Sequence, residues 1–439
     1  MKYRDLFLYE WKHFIRSPFK IIALVLFVVA GVYGLNKGAS LHEQHEREIE
    51  KIEKRASEDR QKVIDDYFIT GELNPEDRPW IDYGTPFWSI WFSYVHHFKN
   101  PSPAMVYSIG QSEQFGFYKR VTFWASPYDA DLAEEIANPE RLQTGTLDFS
   151  FTILFLLPLV LLVLLYNLKS WESEQGFMQL ILVQMPSKNI WLASRVSFYI
   201  FLLVATILAL LLVGTALTPV FEHSPEAFTQ MLFFCIAYLL FWAALYFIFL
   251  SGSKTVLGNT LKMSTAYLLF AFIIPASVHQ VLSTQYPPNM MTDFIDVRDR
   301  QQELYNQPDS LFQAKLNELY PEILVSSVYK DSTKRGAARN RSAASLVNEL
   351  KKSSLLLIEE EFEKKNAFIE GTFWFSPVSY FQNRFNTISG THFDDYQTYR
   401  NDVQTLIDKQ IRTMVLDTWN NKKIDRSGYE KYIQELEKL

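Results

Sequence analysis

The stretch FSFTILFLLPLVLLVLL, residues 149–165, holds no charged side chain, and that limits the surroundings in which it can fold. Each Leu, Ile, Phe or Val near the centre of a membrane helix favours insertion by roughly 0.3 to 0.6 kcal/mol, so about a dozen of them favour the bilayer by several kcal/mol. Similar blocks cover 21–35, 196–217 and 231–250. A fifth, over 264–282, carries Pro275, Ser277 and His279. Polar groups in a span are tolerated where neighbouring helices satisfy them, so this block is expected to face protein rather than lipid; a buried core helix is its alternative. A mean hydropathy of -0.05 hides the pattern, because it averages apolar blocks with strongly polar segments between them.

Two classes are excluded by composition. A net charge of -6 gives no basic footprint for nucleic acid, and Cys235, the only cysteine, rules out an internal disulfide framework or a cysteine-based zinc site. The leader MKYRDLFLYEWKHFIRSPFK contains Asp5 and Glu10, and no small-x-small cleavage site follows the first block. A retained anchor is therefore expected rather than a signal peptide.

Basic residues set the orientation. Lys2, Arg4, Lys12, Arg16 and Lys20 precede the first span; Lys169, Lys188 and Arg195 lie between the second and third, and Lys254 and Lys262 between the fourth and fifth. The loop TPVFEHSPEAF, between the third and fourth, holds Glu222 and Glu226 and no Lys or Arg. The expected layout is a cytoplasmic amphipathic leader helix over 1–20 and spans over 21–35, 149–167, 196–217, 231–250 and 264–282. Loops at 168–195 and 251–263 are cytoplasmic, 218–230 is a short external loop, and 36–148 and 283–439 are two extracytoplasmic domains.

The first polar segment pairs acid with base at i,i+4 in Glu43/Arg47, Glu50/Lys54 and Glu58/Lys62, so the first span should continue outward as a charged helix. His42 and His45 share a helix face and His96 adjoins His97, but neither pair has a third ligand in view, and no metal site is expected. Trp80, Trp88, Trp91 and Trp124 fit an apolar cleft, a membrane interface or an ordinary domain core. In the loop NLKSWESEQGFMQLILVQMPSKNIWLASR, Glu172 and Glu174 precede Gly176 and an apolar helical run, Phe177, Leu180 and Ile181, closed by Pro186. A short amphipathic helix between two spans suits a soluble partner, and a plain loop helix is the alternative. Residues 301–319 and 346–365 have helical apolar spacing, and KDSTKRGAARNRS, 330–342, is expected as an exposed loop or a contact for an anion. No phosphate loop occurs, since GSKT at 252–255 lacks the upstream glycine and the Gly-Lys order. No GxSxG elbow, HExxH pair or dinucleotide fingerprint is present either.

These features resemble the permease family of type-two ABC exporters, in the branch with large external segments after the first and fifth spans. The leader, with Glu10 and Arg16-Ser17-Pro18, is similar to that family's elbow helix. Asn138-Pro139, Gly145, Asp148-Phe149, Leu157-Pro158-Leu159 and Tyr166-Asn167 are similar to its entry into the second span, and Glu172, Glu174, Gly176, Leu180 and Pro186 to its coupling segment. Asn100-Pro101, Gly110-Gln111-Ser112, Ser376-Pro377 and Ser389-Gly390-Thr391 resemble the outer domains of the branch.

The resemblance implies an all-α polytopic protein of the bacterial cytoplasmic (inner) membrane, with five evident spans, a sixth expected from the family, and two largely helical (α or α+β) extracytoplasmic domains. It also implies two partners, a second permease, homologous or identical, and a dimer of cytosolic ATPase subunits that would hold ATP and Mg, with no cofactor on this chain. Glu172, Glu174, Gly176, Phe177, Leu180 and Pro186 would couple to the ATPase; Glu10, Arg16 and Pro18 would form the elbow; Pro158, Pro275 and His279 would line a substrate path. Export or membrane extraction of an amphiphile is the leading expectation. Mechanical action on a periplasmic partner and a membrane-anchored sensor or scaffold remain as alternatives, and a membrane enzyme stands behind them.

Overall fold

The computed structural model describes residues 3–71, 80–110, 112, 115–127, 147–184, 187–252, 255–285 and 300–437. Five helices are long and apolar enough to cross a membrane: Pro18–Ile69, Phe149–Glu174, Lys188–Leu217, Pro225–Gly252 and Val256–Gln285. Each contains one of the five blocks read from the sequence, and the chain is an all-α, multi-pass membrane protein. A leader helix, Tyr3–Ile15, precedes them.

Pro18, at the first helical position, opens an unbroken α-helix of 46 residues, Pro18–Val63. At 1.5 Å per residue this is about 69 Å, more than twice a hydrocarbon layer of about 30 Å, so the helix extends well past the bundle. Glu43 and Arg47 close to 3.6 Å, whereas neither Glu50/Lys54 nor Glu58/Lys62 forms an ion pair among the described residues.

Glycines let the backbones approach where the first helix leaves the bundle. A Cβ on Gly34 would lie 2.5 Å from the Asp148 carbonyl carbon, and one on Gly38 would lie 2.8 Å from Val106 Cα. Asp148 caps the second span by accepting from Phe151 N at 2.7 Å and takes a second bond from Ile109 N at 2.9 Å. Tyr107 OH donates to Leu211 O at 3.1 Å, and Thr218 Oγ1 to Pro103 O at 3.1 Å. Residues 102–109 are thereby wedged between the first three spans.

The second and fifth spans each contain a π-helical turn, Thr152–Leu156 and Leu269–Ile273, just before Pro158 and Pro275. Proline lacks an N–H, so Pro158 leaves the Leu154 carbonyl without its usual helical donor. Tyr238 OH of the fourth span supplies one at 2.6 Å, as an apolar interior requires.

The two polar segments share one core rather than forming separate domains. Ile64, Ile90, Val95 and Phe123 of the first pack with Leu316, Val403, Ile407, Met414 and Trp419 of the second, and Tyr429 OH donates to Phe92 O at 2.8 Å. The first segment's only sheet among the described residues is a ribbon of His96–Phe98 against Tyr118–Arg120, too small to stand alone. The second segment therefore completes the head. Residues 330–342 are not a loop: Asp331 caps the helix Ser332–Arg341, and Arg339 pairs with Asp309 at 2.6 Å. One head helix, Pro377–Ser389, belongs to the bundle instead, because Val378, Phe381 and Phe385 join the core of the spans and Phe381 packs on Tyr238 with ring centroids 4.9 Å apart.

Gly34→Val should reduce thermal stability in detergent by about 1–3 kcal/mol, the usual cost of overpacking. Gly336→Ala, at an exposed helical site with open space around it, should raise it by about 0.5–1 kcal/mol. Melting curves of the purified variants would check both.

Candidate functional site: a buried charge cluster beneath an exposed loop helix

The loop between the second and third spans is built on a helix end. Ser170–Glu174 closes with Gly176 at φ 77°, Gly176 N donating to Ser173 O at 3.3 Å and Phe177 N to Glu172 O at 2.9 Å. This left-handed stop favours glycine and turns the chain into a second short helix, Met178–Gln184. Ser187 then caps the third span by accepting from Ile190 N at 3.2 Å.

Beneath the loop lies Arg195, itself 3% exposed. Its Nε donates to Glu10 of the leader and its Nη1 to Glu172, and the same Nη1 reaches Leu168 O at 2.6 Å. The other Glu10 oxygen accepts from Tyr199 OH at 3.0 Å, and Lys20 Nζ donates to Tyr199 OH at 3.0 Å. Two carboxylates and two cations thus balance inside the protein. The planar guanidinium joins the leader, the loop and the third span at once, as its fork of donors allows.

Other bonds tie the loop to the remaining spans. Lys169 Nζ donates to Leu250 O and Ser251 O at 2.7 and 2.6 Å, closing the C-terminus of the fourth span where a cation is favoured. Glu174 accepts from Val256 N at 2.8 Å, at the N-terminus of the fifth. Asn259 donates to Ser170.

The outer face of the loop is apolar. Met178 and Ile181 pack inward on the bundle, while Phe177, Leu180 and Val183 are 48%, 65% and 87% exposed. Trp171 extends the row, its ring 6.2 Å from that of Phe177.

The residues expected to couple to a partner therefore divide. Phe177 and Leu180 face outward, Gly176 makes the turn, Glu172 is buried on Arg195, and Glu174, though exposed, is bonded across to the fifth span; Pro186 lies outside the described residues. In the leader Glu10 is fully buried, whereas Arg16 and Pro18 are exposed. Pro158 is buried, with its carbonyl accepting from Tyr246 OH at 3.3 Å; Pro275 is half-buried and His279 exposed. Trp91 and Trp124 pack on the core of the head, Trp88 meets Phe87 edge to face at 5.1 Å, and Trp80 is exposed. Of the readings left open for these tryptophans, the domain core describes Trp91 and Trp124. His42 lies 3.5 Å from Glu46, and His45 stacks on Phe117 at 3.9 Å. Arg195, Lys20, Lys169 and Tyr199 carry much of the site, yet in the sequence the three basic residues read only as flanking charges. An available signal was Glu10, an acid in a mostly basic leader.

A second concavity, an open cleft of about 720 Å³ in the head, is lined by Glu50, Glu53, Lys54, Arg60, His96 and Glu437 among others. Burial, then Arg120 and Arg60, hold His96 down to about 4 from 6.5.

Residues 291–434, the larger part of the second polar segment, match the family described as a domain of unknown function, DUF3526. No curated protein and no solved structure matches the chain.

Arg195→Met should destabilise the protein by about 3–5 kcal/mol, because two carboxylates are left buried without their partner. Arg195→Lys should recover little of this, lacking the fork, while Glu10→Gln with Glu172→Gln in the Met background should recover most of it. Melting in detergent would check the series. Protonation of His96 gives a second outcome: the unfolded chain takes up this proton near 6.5 and the folded head only near 4. Its contribution is thus complete above 6.5 and lost as pH falls toward 4, and His96→Leu should flatten that part of the stability profile.

Proposed function

We propose that this chain is the permease subunit of an ABC exporter, taking its energy from a separate cytosolic ATPase to export an amphiphile or extract it from the membrane. The observation that carries the reading is the apolar row Phe177, Leu180 and Val183, facing away from a helix whose base is bonded to the leader and to the other spans. A push on that helix has a rigid route into the bundle. Apolar anchors in a polar surround are what a docking partner buries, and the basic flanks counted above put this loop in the cytoplasm. The head then lies outside the bacterial inner membrane.

The fifth span supports a second permease as partner. Only 11% of its apolar window is buried, yet Ser277, His279 and Gln280 are exposed on it. Groups of this kind are costly against lipid and are met by another protein or a polar path.

A second reading has its own support in the unbroken helix Pro18–Val63, a rod joining the charge cluster to the head, as mechanical action on an external partner would need. Head movement under ATP without substrate flux into vesicles would favour it.

Leu180→Asp and Val183→Asp should leave the melting temperature unchanged and cut capture of an ATPase from native membranes about tenfold or more, the loss expected from an anchor worth about 2 kcal/mol. Unaltered capture, or recovery of no ATPase by the unmodified chain, would sink the proposal.

A further inference from the structure

We propose that the π-helical turns of the second and fifth spans form a single hinge, clasped by the hydroxyls of Tyr238, Tyr246 and Tyr267, through which the loop-side halves of these spans swing against the head helix Pro377–Ser389. The two turns, Thr152–Leu156 and Leu269–Ile273, each stand just before a proline, Pro158 and Pro275. They also touch, since the ring of Phe155 lies 5.5 Å from that of Phe272. A π-turn holds one residue more than an α-turn needs, and helices bend at such places. Set ring against ring, the two turns are placed to bend as one.

The carbonyls of the second span at this point are met from its neighbours. Tyr238 OH donates to Leu154 O at 2.6 Å, Tyr267 OH to Phe155 O at 3.0 Å and Tyr246 OH to Pro158 O at 3.3 Å. Trp242, fully buried, holds the three phenols together, with ring centroids 6.3, 5.4 and 6.2 Å from those of Tyr238, Tyr246 and Tyr267. A carbonyl met by a side chain is not tied to the next turn of its own helix, so bending here exchanges phenol bonds rather than a helical ladder. No water is at hand in an apolar interior to replace a lost donor, which keeps the clasp shut until another donor is reached. The fourth span supplies two of the three hydroxyls and is itself an unbroken α-helix, Pro225–Gly252. It is the rail against which the other two bend.

The hinge stands between two tied blocks. On the loop side, Lys169, Glu174 and Asn259 bond the second, fourth and fifth spans to one another. On the head side, Asp148 takes its bond from Ile109 at 2.9 Å, and Ser108 Oγ donates to Asn386 Oδ1 of the head helix at 2.6 Å. The head helix lies along both π-turns, and its Phe381 rests on the ring of Tyr238 at 4.9 Å. The residue that donates to the Leu154 carbonyl therefore also carries the head helix, and a change in the angle of the second span reaches the head through it.

The test uses the full chain, reconstituted without any ATPase in phosphatidylethanolamine–phosphatidylglycerol vesicles, so its outcome is separate from that of the ATPase capture. Spin labels on Gln175→Cys and Thr387→Cys, both exposed, read the distance across the hinge by pulsed electron resonance. Labels on Ile15→Cys and Gln175→Cys read a distance on the loop side alone. Cys235 is fully buried, and the chain without added cysteines reports any labelling of it. Before the clasp is altered, the first pair should give one main distance, with any second one below about a tenth of the molecules, the usual range of a minor state. Each Tyr→Phe change should enlarge the second population, Tyr238→Phe most, because Pro158 has no N–H to offer the Leu154 carbonyl. The second pair should not change. Adding Pro158→Ala to Tyr238→Phe supplies that N–H and should bring back the single distance. Tyr246→Phe, which removes only the longest of the three bonds, is the mildest variant and gives the same reading with the least risk to folding. A lower melting temperature with the cross-hinge distance still single would overturn the proposal, since the tyrosines would then only satisfy carbonyls; equal broadening in both pairs would overturn it too.

Discussion

The fold depends on where the Arg195 charge goes. A guanidinium withdrawn from water costs several kcal/mol unless its donors are met, and here they are met by residues far apart in the chain: Glu10 in the leader, Glu172 after the second span and the Leu168 carbonyl. No two of these elements can shift separately without exposing a buried charge. The cluster fixes the angle of the leader, the position of the loop and the start of the third span together. Its members are polar enough to mark one end of the bundle and buried enough to act as a joint.

The opposite end is held by close contact rather than charge. Gly34 and Gly38 bring the first helix onto the backbone of Asp148 and Val106, and Asp148 binds both the second span and the wedge at Ile109. Between the two ends, Tyr238 meets the carbonyl freed by Pro158 and also supports Phe381 of the head helix. One residue of the fourth span thus touches a helical irregularity and the segment linking head to membrane. Such irregularities in a span are places where a helix can bend.

Much of this was legible in the sequence, for reasons that also mark the limits. The five spans could be read because hydropathy is a local property, and the loop helix because Gly176 and the spacing of Phe177, Leu180 and Ile181 fall within one short window. The charge cluster could not, since Glu10 and Arg195 are separated by nearly half the chain and each has an ordinary local role as a flanking charge. Glu174 shows the same limit: it looks like part of a docking face, and its partner is a backbone N–H across the bundle. The two polar segments looked like two domains because nothing local says that Ile64 and Phe123 need Trp419 and Met414. The helix Pro377–Ser389 is short and carries Asn383 and Arg384 among its aromatics, so hydropathy alone does not separate it from a surface helix.

On the function proposed above, a soluble ATPase seats on the loop helix and drives the bundle through the Arg195 joint. A photo-cross-linker in place of Leu180, activated in native membranes, tests this most directly. A cross-linked product whose partner carries a phosphate-loop motif is the predicted result, and the same residue cross-linking only to lipid would contradict the account.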